Sequence, residues 1–338
     1  MDTPSLAEKV AFLAQARNHP FAPARVTVVE THMSWVFLTD LHAYKLKKAI
    51  RTDEQDLTTV EAREAQCRNE AALNARFSRG VYLGILPLTV DTRGALELDR
   101  GGRPVDWLVW MRRLPAERML DYEIATGRVD VGLLRECIAN LARFYRTLAP
   151  VAAFSAEVFR GRMAGRVVES RDILLRQDAG LQPFRPAELA GRQLEFLSSR
   201  RALFDARIGD GRVVEAHGDL RPEHVCLESP PQLIDCLEFS QRLRTLDAAE
   251  EMAFLALECE RLGAPQLHEA IFRQYCATAG DAPPHALVSF YKSLHASVRA
   301  RLAVAHLDEP AADTRKWLAR GAEYMRLATL HLEATISG

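Results

Sequence analysis

The sequence lacks several features that would place it in a functional class directly. Its 44 Lys and Arg residues are matched by 45 Asp and Glu residues, a net charge of −1, whereas a general nucleic-acid binder presents a basic surface. It contains no Gly-x-x-x-x-Gly-Lys-Ser/Thr segment, which excludes a P-loop nucleotide site. No run approaches eighteen uncharged apolar residues, so we expect neither a transmembrane helix nor a membrane partner.

Cysteine is scarce and scattered. The six cysteines include no Cys-x-x-Cys pair, which argues against a disulfide framework or a zinc site and favours reduced thiols. The sequence opens with Met-Asp-Thr-Pro, without the basic and apolar regions of a secretory signal. We therefore expect a cytoplasmic protein.

The remaining composition is that of an ordinary globular protein, and strands and helices are segregated along it. Hydrophobic residues make up 48% of the chain and charged residues 26%. Alternating or apolar runs predict strands at residues 25–30, 35–39, 43–48, 81–90, 96–98 and 106–114. Helical periodicity appears at residues 59–77, 129–148, 154–204 and from 247 onward. This segregation predicts an α+β fold of two lobes, residues 1–115 and 116–338.

A predicted hairpin interrupts the helical part and carries most of the chemistry. His217-Gly218-Asp219 follows a short strand at 213–216, and two more strands, 225–227 and 233–237, flank the turn Ser-Pro-Pro. Residues equidistant from that turn become neighbours, which places His224 beside Asp235. Asp219 is expected at the open end of the same hairpin.

Converging carboxylates in a cleft suit two tasks. One is to bind a hard cation such as Mg²⁺, which prefers oxygen ligands and bridges phosphates. The other is to orient a hydroxyl nucleophile and accept its proton. Phosphoryl transfer needs both tasks, because its catalysis consists mostly of positioning and charge neutralisation.

The segment His217-Gly218-Asp219-Leu-Arg-Pro-Glu-His224, followed by Ile-Asp235, resembles the aminoglycoside phosphotransferase family and its relatives such as choline kinases. The Thr-His-Met-Ser-Trp-Val-Phe-Leu and Tyr-Lys-Leu-Lys-Lys segments resemble a bacterial subgroup of uncharacterised phosphotransferase-like proteins. The resemblance covers roughly residues 25–262. It implies a bilobal protein-kinase-like fold, with a strand-rich nucleotide-binding lobe (1–115) and a helical catalytic and substrate-binding lobe (116–338).

The resemblance also implies roles for individual residues. Asp219 would be the catalytic base, His217 would brace its loop, and Asp235 would bind Mg²⁺. A strand lysine should hold the phosphates of ATP and pair with a helix glutamate. Lys45 is our choice, with Lys47 on the same strand face as the alternative.

The helix glutamate is expected to be Glu70, in preference to Glu61 or Glu64. Backbone groups from Met111 to Arg113 would contact the adenine. The acceptor would be a small molecule whose identity the sequence does not give.

Two features depart from the family pattern. The asparagine that normally helps to bind metal is here His224, and imidazole suits transition metals better than Mg²⁺. The turn Thr31-His-Met-Ser34 contains no glycine to let the backbone approach a phosphate. The hydroxyl of Ser34 is a candidate replacement donor.

These departures keep alternatives open. One is a nucleotide-binding pseudokinase that regulates a protein partner. Another is a protein kinase, against which stands the absence of Asp-Phe-Gly and Ala-Pro-Glu segments. Each candidate also has a plain structural reading: Asp219 as a loop residue, Lys45 as a solvated strand lysine, and Glu70 as an exposed helix residue.

Overall fold

The chain forms two compact units that are not consecutive in sequence. The computed structural model describes residues 4–52, 54–149, 151, 155–176, 178–308 and 313–336. The first unit comprises Met1–Tyr122 with His224–Arg242, and the second comprises Glu123–Glu223 with Leu243–Gly338. The sequence-based division at residue 115 makes each lobe one continuous segment, whereas each of these units consists of two segments.

The hairpin segment belongs to the first unit because its backbone pairs there. The amide of Leu227 donates to the carbonyl of Arg118 at 2.7 Å, and Met119 forms a bridge with Cys226. The Arg118 guanidinium donates back to the Leu227 carbonyl. These long-range bonds satisfy backbone groups that the short hairpin cannot satisfy itself.

The first unit is built on a six-stranded antiparallel sheet in the order β1-β2-β3-β6-β4-β5. Its strands are β1 Thr27–Glu30, β2 Ser34–Leu38, β3 His42–Lys47, β4 Tyr82–Val90, β5 Leu96–Leu98 and β6 Arg103–Arg112. Helix α1 spans Leu6–Leu13 and packs its apolar side into the sheet core. That core includes the fully buried side chains Phe37, Tyr44, Leu46, Leu88 and Leu108.

Helix α2, Val60–Asn74, packs on β4 and β6. It begins at Thr59, whose hydroxyl accepts the amide of Ala62, as helix caps do. The Arg63 guanidinium holds the helix to β6 through two bonds to Asp106, at 2.7 and 3.0 Å. Lys9 of α1 also binds Asp106 at 2.8 Å, so the buried aspartate joins two helices to one strand.

Strands β8, Val225–Cys226, and β9, Gln232–Leu233, form the hairpin of the first unit. The predicted strand 233–237 stops early because Asp235 has a φ of +59°. This left-handed conformation is uncommon for a residue with a side chain and cannot continue a strand. Such backbone is found at functional sites that the surrounding structure holds in place.

The second unit is helical apart from one short strand pair. Its main helices are α4 Val131–Thr147, α5 Ala156–Leu175, α6 Pro186–Ser199, α7 Arg201–Gly209, α9 Ala248–Arg261, α10 Leu267–Ala279, α11 His285–Ala305 and α12 Thr314–Ala334. The short helices α3, Leu120–Ala125, and α8, Gln241–Arg244, lie where the chain passes between units. Residues 154–204 thus yield two whole helices, α5 and α6, and the first residues of a third, α7, while Phe154 itself lies outside the described residues.

Strands β7, Val213–Glu215, and β10, Thr245–Asp247, pair antiparallel in the second unit. Asp247 ends β10 and caps α9, accepting the amide of Ala249 at 2.9 Å. Arg207 binds the same carboxylate at 2.7 and 2.8 Å and also reaches Asp281. This buried ion cluster fixes the start of α9. No helix within the described residues is both long and apolar enough to cross a membrane.

Candidate active site

Two lysines of β3 converge on one glutamate of α2. Lys45 and Lys47 are two positions apart and therefore lie on one face of the strand. The Lys45 ammonium lies 2.9 Å from Oε1 of Glu70, and the Lys47 ammonium lies 2.5 Å from Oε2. Glu70 is fully buried, so it is not the exposed helix residue of the structural alternative, and Lys45 is not a solvated strand lysine.

The two lysines keep Glu70 ionised inside the protein. Burial alone would raise the pKa of this carboxyl, but Lys45 and Lys47 outweigh it and lower the pKa. The pKa of Lys45 is raised despite burial, because Asp235 and Glu70 favour its charged form. Opposite charges at contact distance shift both partners toward ionisation. Both lysines are therefore cations at neutral pH.

Asp235 is the second partner of Lys45. Its Oδ1 lies 2.7 Å from the Lys45 ammonium, and its side chain remains 40% exposed. Desolvation would raise the pKa of Asp235, but Lys45 and His224 lower it well below its ordinary value. The site therefore presents a charged, partly accessible carboxylate.

Side chains from two elements hold the backbone at Asp235. The Asp235 amide donates to the Tyr82 hydroxyl of β4 at 3.0 Å. The following amide, of Cys236, donates to Oδ1 of Asn74 at the end of α2, at 2.8 Å. These bonds stabilise the left-handed backbone that aims the carboxylate at Lys45.

His224 lies beside Asp235, as the hairpin count predicts. Its Nε2 is 3.6 Å from Oδ2 of Asp235. In the observed register Val225 pairs with Leu233, so the backbone of His224 lies opposite Ile234 and not opposite Asp235. The side chains of His224 and Asp235 are nevertheless close. Within the described residues, no group of three or more His, Cys, Asp or Glu side chains is arranged to hold a metal ion.

The predicted adenine and phosphate donors are placed as follows. Ser34 sits opposite Lys47 in the β2–β3 register, and hence on the same sheet face. Its hydroxyl is buried without a hydrogen-bond partner among the described residues. Met111 pairs with Ala43 and Tyr82, inside the sheet. The Arg113 amide donates to the Leu41 carbonyl and its guanidinium donates to the Thr39 carbonyl. Both carbonyls belong to the loop between β2 and β3.

In the second unit, the His217 loop is held by a buried glutamate of α9. Oε1 of Glu251 accepts the Gly218 amide at 2.5 Å, and Oε2 accepts the His217 amide at 3.3 Å. The Tyr145 hydroxyl of α4 also donates to Glu251. Burial raises the pKa of Glu251 to about 7, against the hydrogen bonds that lower it.

His217 is fully buried and supports the loop from within. Its Nδ1 accepts the amide of Asp219 at 3.4 Å. The Asp219 side chain is 27% exposed, and its Oδ2 lies 3.0 Å from the Arg221 guanidinium. Arg221 also binds Glu223 at 2.5 Å. Burial would lower the pKa of Arg221, but Asp219 and Glu223 raise it.

The acidic residues of α9 do not form an open acidic surface. Glu250, Glu251 and Glu258 are all fully buried. Glu250 binds Arg166 at 2.5 Å and His295 at 3.0 Å. These three carboxylates are therefore internal hydrogen-bond and ion-pair partners.

Sequence reasoning did not give two members of these clusters the contacts that the structure shows. Lys47 appears in it only as an alternative to Lys45, whereas both lysines bind Glu70. Glu251 carries no signal beyond its position in α9, because its partners come from distant parts of the chain. An i, i+2 pair of lysines on a strand face was the available clue for Lys47.

Known proteins resemble this chain both in sequence and in fold. No protein-family model matches the chain. Mb2027c, an uncharacterised protein of Mycobacterium bovis, is 31% identical over 321 residues, covering 93% of this chain and 62% of that protein. The chain thus spans about three fifths of the length of the curated relatives it matches.

Among solved structures, a choline/ethanolamine kinase family protein from Mesorhizobium loti aligns with a TM-score of 0.52 at 17% identity, covering 98% of this chain and 99% of that one. The chain has a protein-kinase-like fold. LicA, solved in complex with AMP, shares this kinase-like fold with a TM-score of 0.51 at 15% identity, covering 98% of this chain and 100% of that one. The expected α+β kinase-like fold is confirmed, and the motif resemblance is confirmed as a resemblance of fold.

Proposed function

We propose that the protein is an ATP-dependent phosphotransferase that moves the γ-phosphate to a hydroxyl group of a small molecule. The observation that carries this proposal is the contact of Lys45 with both Glu70 and Asp235, at 2.9 and 2.7 Å. A lysine held between a helix glutamate and a second, exposed carboxylate is the arrangement that the kinase phosphate site requires. The LicA structure, which contains AMP, supports a nucleotide as the ligand.

In this proposal Lys45 neutralises phosphate charge when ATP binds. Its ammonium carries three donors and is already desolvated. Glu70 orients it from the buried side, and Asp235 faces it from the exposed side. Replacement of the Asp235 contact by phosphate oxygens would release that carboxylate for a cation.

Asp235 and His224 are the residues that would hold the divalent cation. Asp235 offers an exposed carboxylate oxygen, which suits Mg²⁺. His224 offers an imidazole nitrogen 3.6 Å from that oxygen. The donor set therefore fits a divalent cation but is less oxygen-rich than the usual kinase pair. When bound, the cation supplies neutralisation of the phosphate charge.

Asp219 would orient the acceptor hydroxyl and take its proton. Its carboxylate is accessible, and its loop is fixed through the amides that Glu251 and His217 hold. General-base catalysis of this kind contributes typically ~10²–10⁴-fold to rate. Arg221, beside Asp219, keeps a cation next to the carboxylate that would take the proton.

The proposal is tested by thermal unfolding with ATP, with and without Mg²⁺. A ligand that binds only the folded state raises the free energy of unfolding by mass action, by roughly 2.7 kcal/mol at a hundredfold excess over Kd, and the melting temperature rises with it. We expect ATP with Mg²⁺ to stabilise the wild type. Asp235→Ala should remove the Mg²⁺-dependent part of the stabilisation, whereas Glu30→Gln, at an exposed pair with Lys48, should not.

Acceptor screening then decides between catalysis and regulation. The pseudokinase alternative is favoured by His224 in the metal position and by the glycine-free turn at 31–34. Transfer of labelled γ-phosphate to any small hydroxyl compound, lost in Asp219→Asn, would establish the enzyme. Nucleotide binding without transfer to any acceptor in the panel would favour the regulatory reading, and no nucleotide effect at millimolar concentration would remove the phosphotransferase.

A further inference from the structure

Lys47 occupies a position that the kinase phosphate site does not require. Its ammonium lies 2.5 Å from Glu70 and 2.7 Å from Glu238. The side chain is only 4% exposed. Glu238 is held in turn, because its carbonyl accepts the Asn69 side chain of α2 at 2.8 Å. Lys47 therefore joins α2 to the segment after the hairpin.

The charges in this cluster alternate. In the order of their contacts they are Asp235, Lys45, Glu70, Lys47 and Glu238. Glu70 is the central member and has no exposure to water. Each of its two oxygens is bound by a different lysine, so the two cations do not compete for one site.

Lys47 is poorly placed to bind phosphate itself. Both of its carboxylate partners are more enclosed than Asp235, since the Glu238 side chain is 11% exposed and that of Asp235 is 40% exposed. Lys45 is the lysine that contacts the exposed carboxylate. The two lysines are therefore not alternatives for one role.

We propose that Lys47 is a positioning residue that keeps Glu70 ionised and in place while Lys45 transfers its contacts to the phosphates of a nucleotide. The inference rests on the proposed nucleotide-binding function. If Glu70 had Lys45 alone, moving that ammonium toward phosphate would weaken the pairing of a fully buried carboxylate, which is strongly unfavourable. Lys47 supplies the positive charge that stays beside Glu70 when Lys45 moves.

The test is equilibrium binding of ATP with Mg²⁺, by titration calorimetry on the full chain, to the wild type and four variants. The central variant is Lys47→Met/Glu238→Met, which removes the lysine together with the carboxylate it would otherwise leave unpaired. Replacing a buried ion pair by apolar side chains is often neutral for stability. The matched controls are Glu238→Met, which leaves the Lys47–Glu70 contact, and Lys48→Met, at the neighbouring exposed pair with Glu30.

We expect the double variant to remain folded with a lower melting temperature, because Glu70 loses one of its two cations, and to bind ATP about tenfold more weakly. Glu238→Met and Lys48→Met should bind within about twofold of wild type. A purely structural lysine would change the melting temperature without changing the affinity of the folded protein. Lys47→Arg, which keeps the cation, should recover most of the affinity.

The outcomes separate this inference from the proposed function. Wild-type affinity in the folded double variant would overturn the role of Lys47 and leave the phosphotransferase intact. Equal weakening in Glu238→Met would also overturn it, because the effect would then belong to Glu238. Failure of the wild type itself to bind ATP would remove the proposed function, and this inference with it.

Discussion

Two buried glutamates, one in each unit, show opposite responses to burial. Glu70 on α2 and Glu251 on α9 are both fully inaccessible to water. Two lysines contact Glu70 and lower its pKa. Glu251 has a tyrosine hydroxyl and two backbone amides, and its pKa is raised to about 7.

The difference shows that full charges, and not the number of hydrogen bonds, decide the ionisation of these sites. Three neutral donors reduce the penalty of burial at Glu251 without cancelling it, whereas two ammonium groups cancel it at Glu70. The first unit therefore holds a charged cluster of lysines and carboxylates. The second holds its loop with a carboxyl that titrates near neutral pH.

The largest effect should come from removing the charge of Glu70. In Glu70→Gln, Lys45 and Lys47 each lose a buried partner, and breaking buried pairs typically costs ~3–5 kcal/mol. We expect the free energy of unfolding at pH 7 to fall by that amount, measured by urea denaturation. A loss below about 1 kcal/mol would mean that the remaining partners, Asp235 and Glu238, suffice, and the contrast with Glu251 would fail.

Glu251→Gln should instead change the dependence of stability on pH. In the folded state the carboxyl keeps its proton up to about pH 7, whereas in the unfolded chain it loses the proton near its ordinary pKa. The folded state thus binds more protons within this window, so wild-type stability from this group falls as pH rises from about 4.5 to 7, and stays low above it.

The total loss of stability across this pH window follows from the pKa shift, at 1.36 kcal/mol per pKa unit, and is about 3 kcal/mol. Urea denaturation at several pH values should show it in the wild type and not in Glu251→Gln. Glu188→Gln, at an exposed position of α6, should keep the wild-type slope. An unchanged slope in Glu251→Gln would assign the pH dependence to another group.

His224→Asn tests the intermediate case of Asp235, a charged but partly exposed carboxylate. Exchange of the imidazole for an amide oxygen should shift cation preference from Mn²⁺ toward Mg²⁺. We expect the ratio of the two affinities, measured with ADP by Mn²⁺ paramagnetic resonance and Mg²⁺ competition, to change about tenfold, since altered metal-site partners commonly cost ~10–100-fold. A constant ratio would show that His224 does not reach the cation.

The smallest effect should come from Glu64, one and a half turns before Glu70 on α2. It pairs with Arg68 at 2.7 Å on the exposed side of the helix. Such i, i+4 pairs contribute ~0.3–0.5 kcal/mol, so Glu64→Gln should lower the free energy of unfolding by no more than about 0.5 kcal/mol. A larger loss would mean that helix position matters more than burial, and would weaken the interpretation of Glu70→Gln.

Much of this arrangement could be predicted from sequence where the pattern was local. Strand alternation located β2, β3 and β6, and the Lys45–Glu70 pair followed from the family resemblance, which implies a strand lysine paired with a glutamate of the next helix. The strand predicted at residues 233–237 was wrong beyond Leu233, because Leu-Ile-Asp-Cys-Leu has strand composition while bonds to Tyr82 and Asn74 hold a left-handed turn at Asp235. Convergence of Asp219 with Asp235 stays a prediction.

The contacts that sequence could not give are those between distant parts of the chain. Glu251 meets Tyr145 and the His217 loop, which lie 106 and 34 residues earlier in the chain. Nothing in the local pattern of α9 distinguishes Glu251 from Glu250, which binds Arg166 instead. Only the tertiary fold selects which neighbour receives which donor.

The discontinuity of the first unit also sets the order in which the protein can mature on the ribosome. The six-stranded sheet is complete once residue 112 has been made, but its hairpin belongs to His224–Arg242. Synthesis at roughly 5–20 residues per second delays that segment by several seconds. Until Asp235 and Glu238 have been made, the cluster contains two lysines and one glutamate, and it gains its negative balance only when that late segment is added.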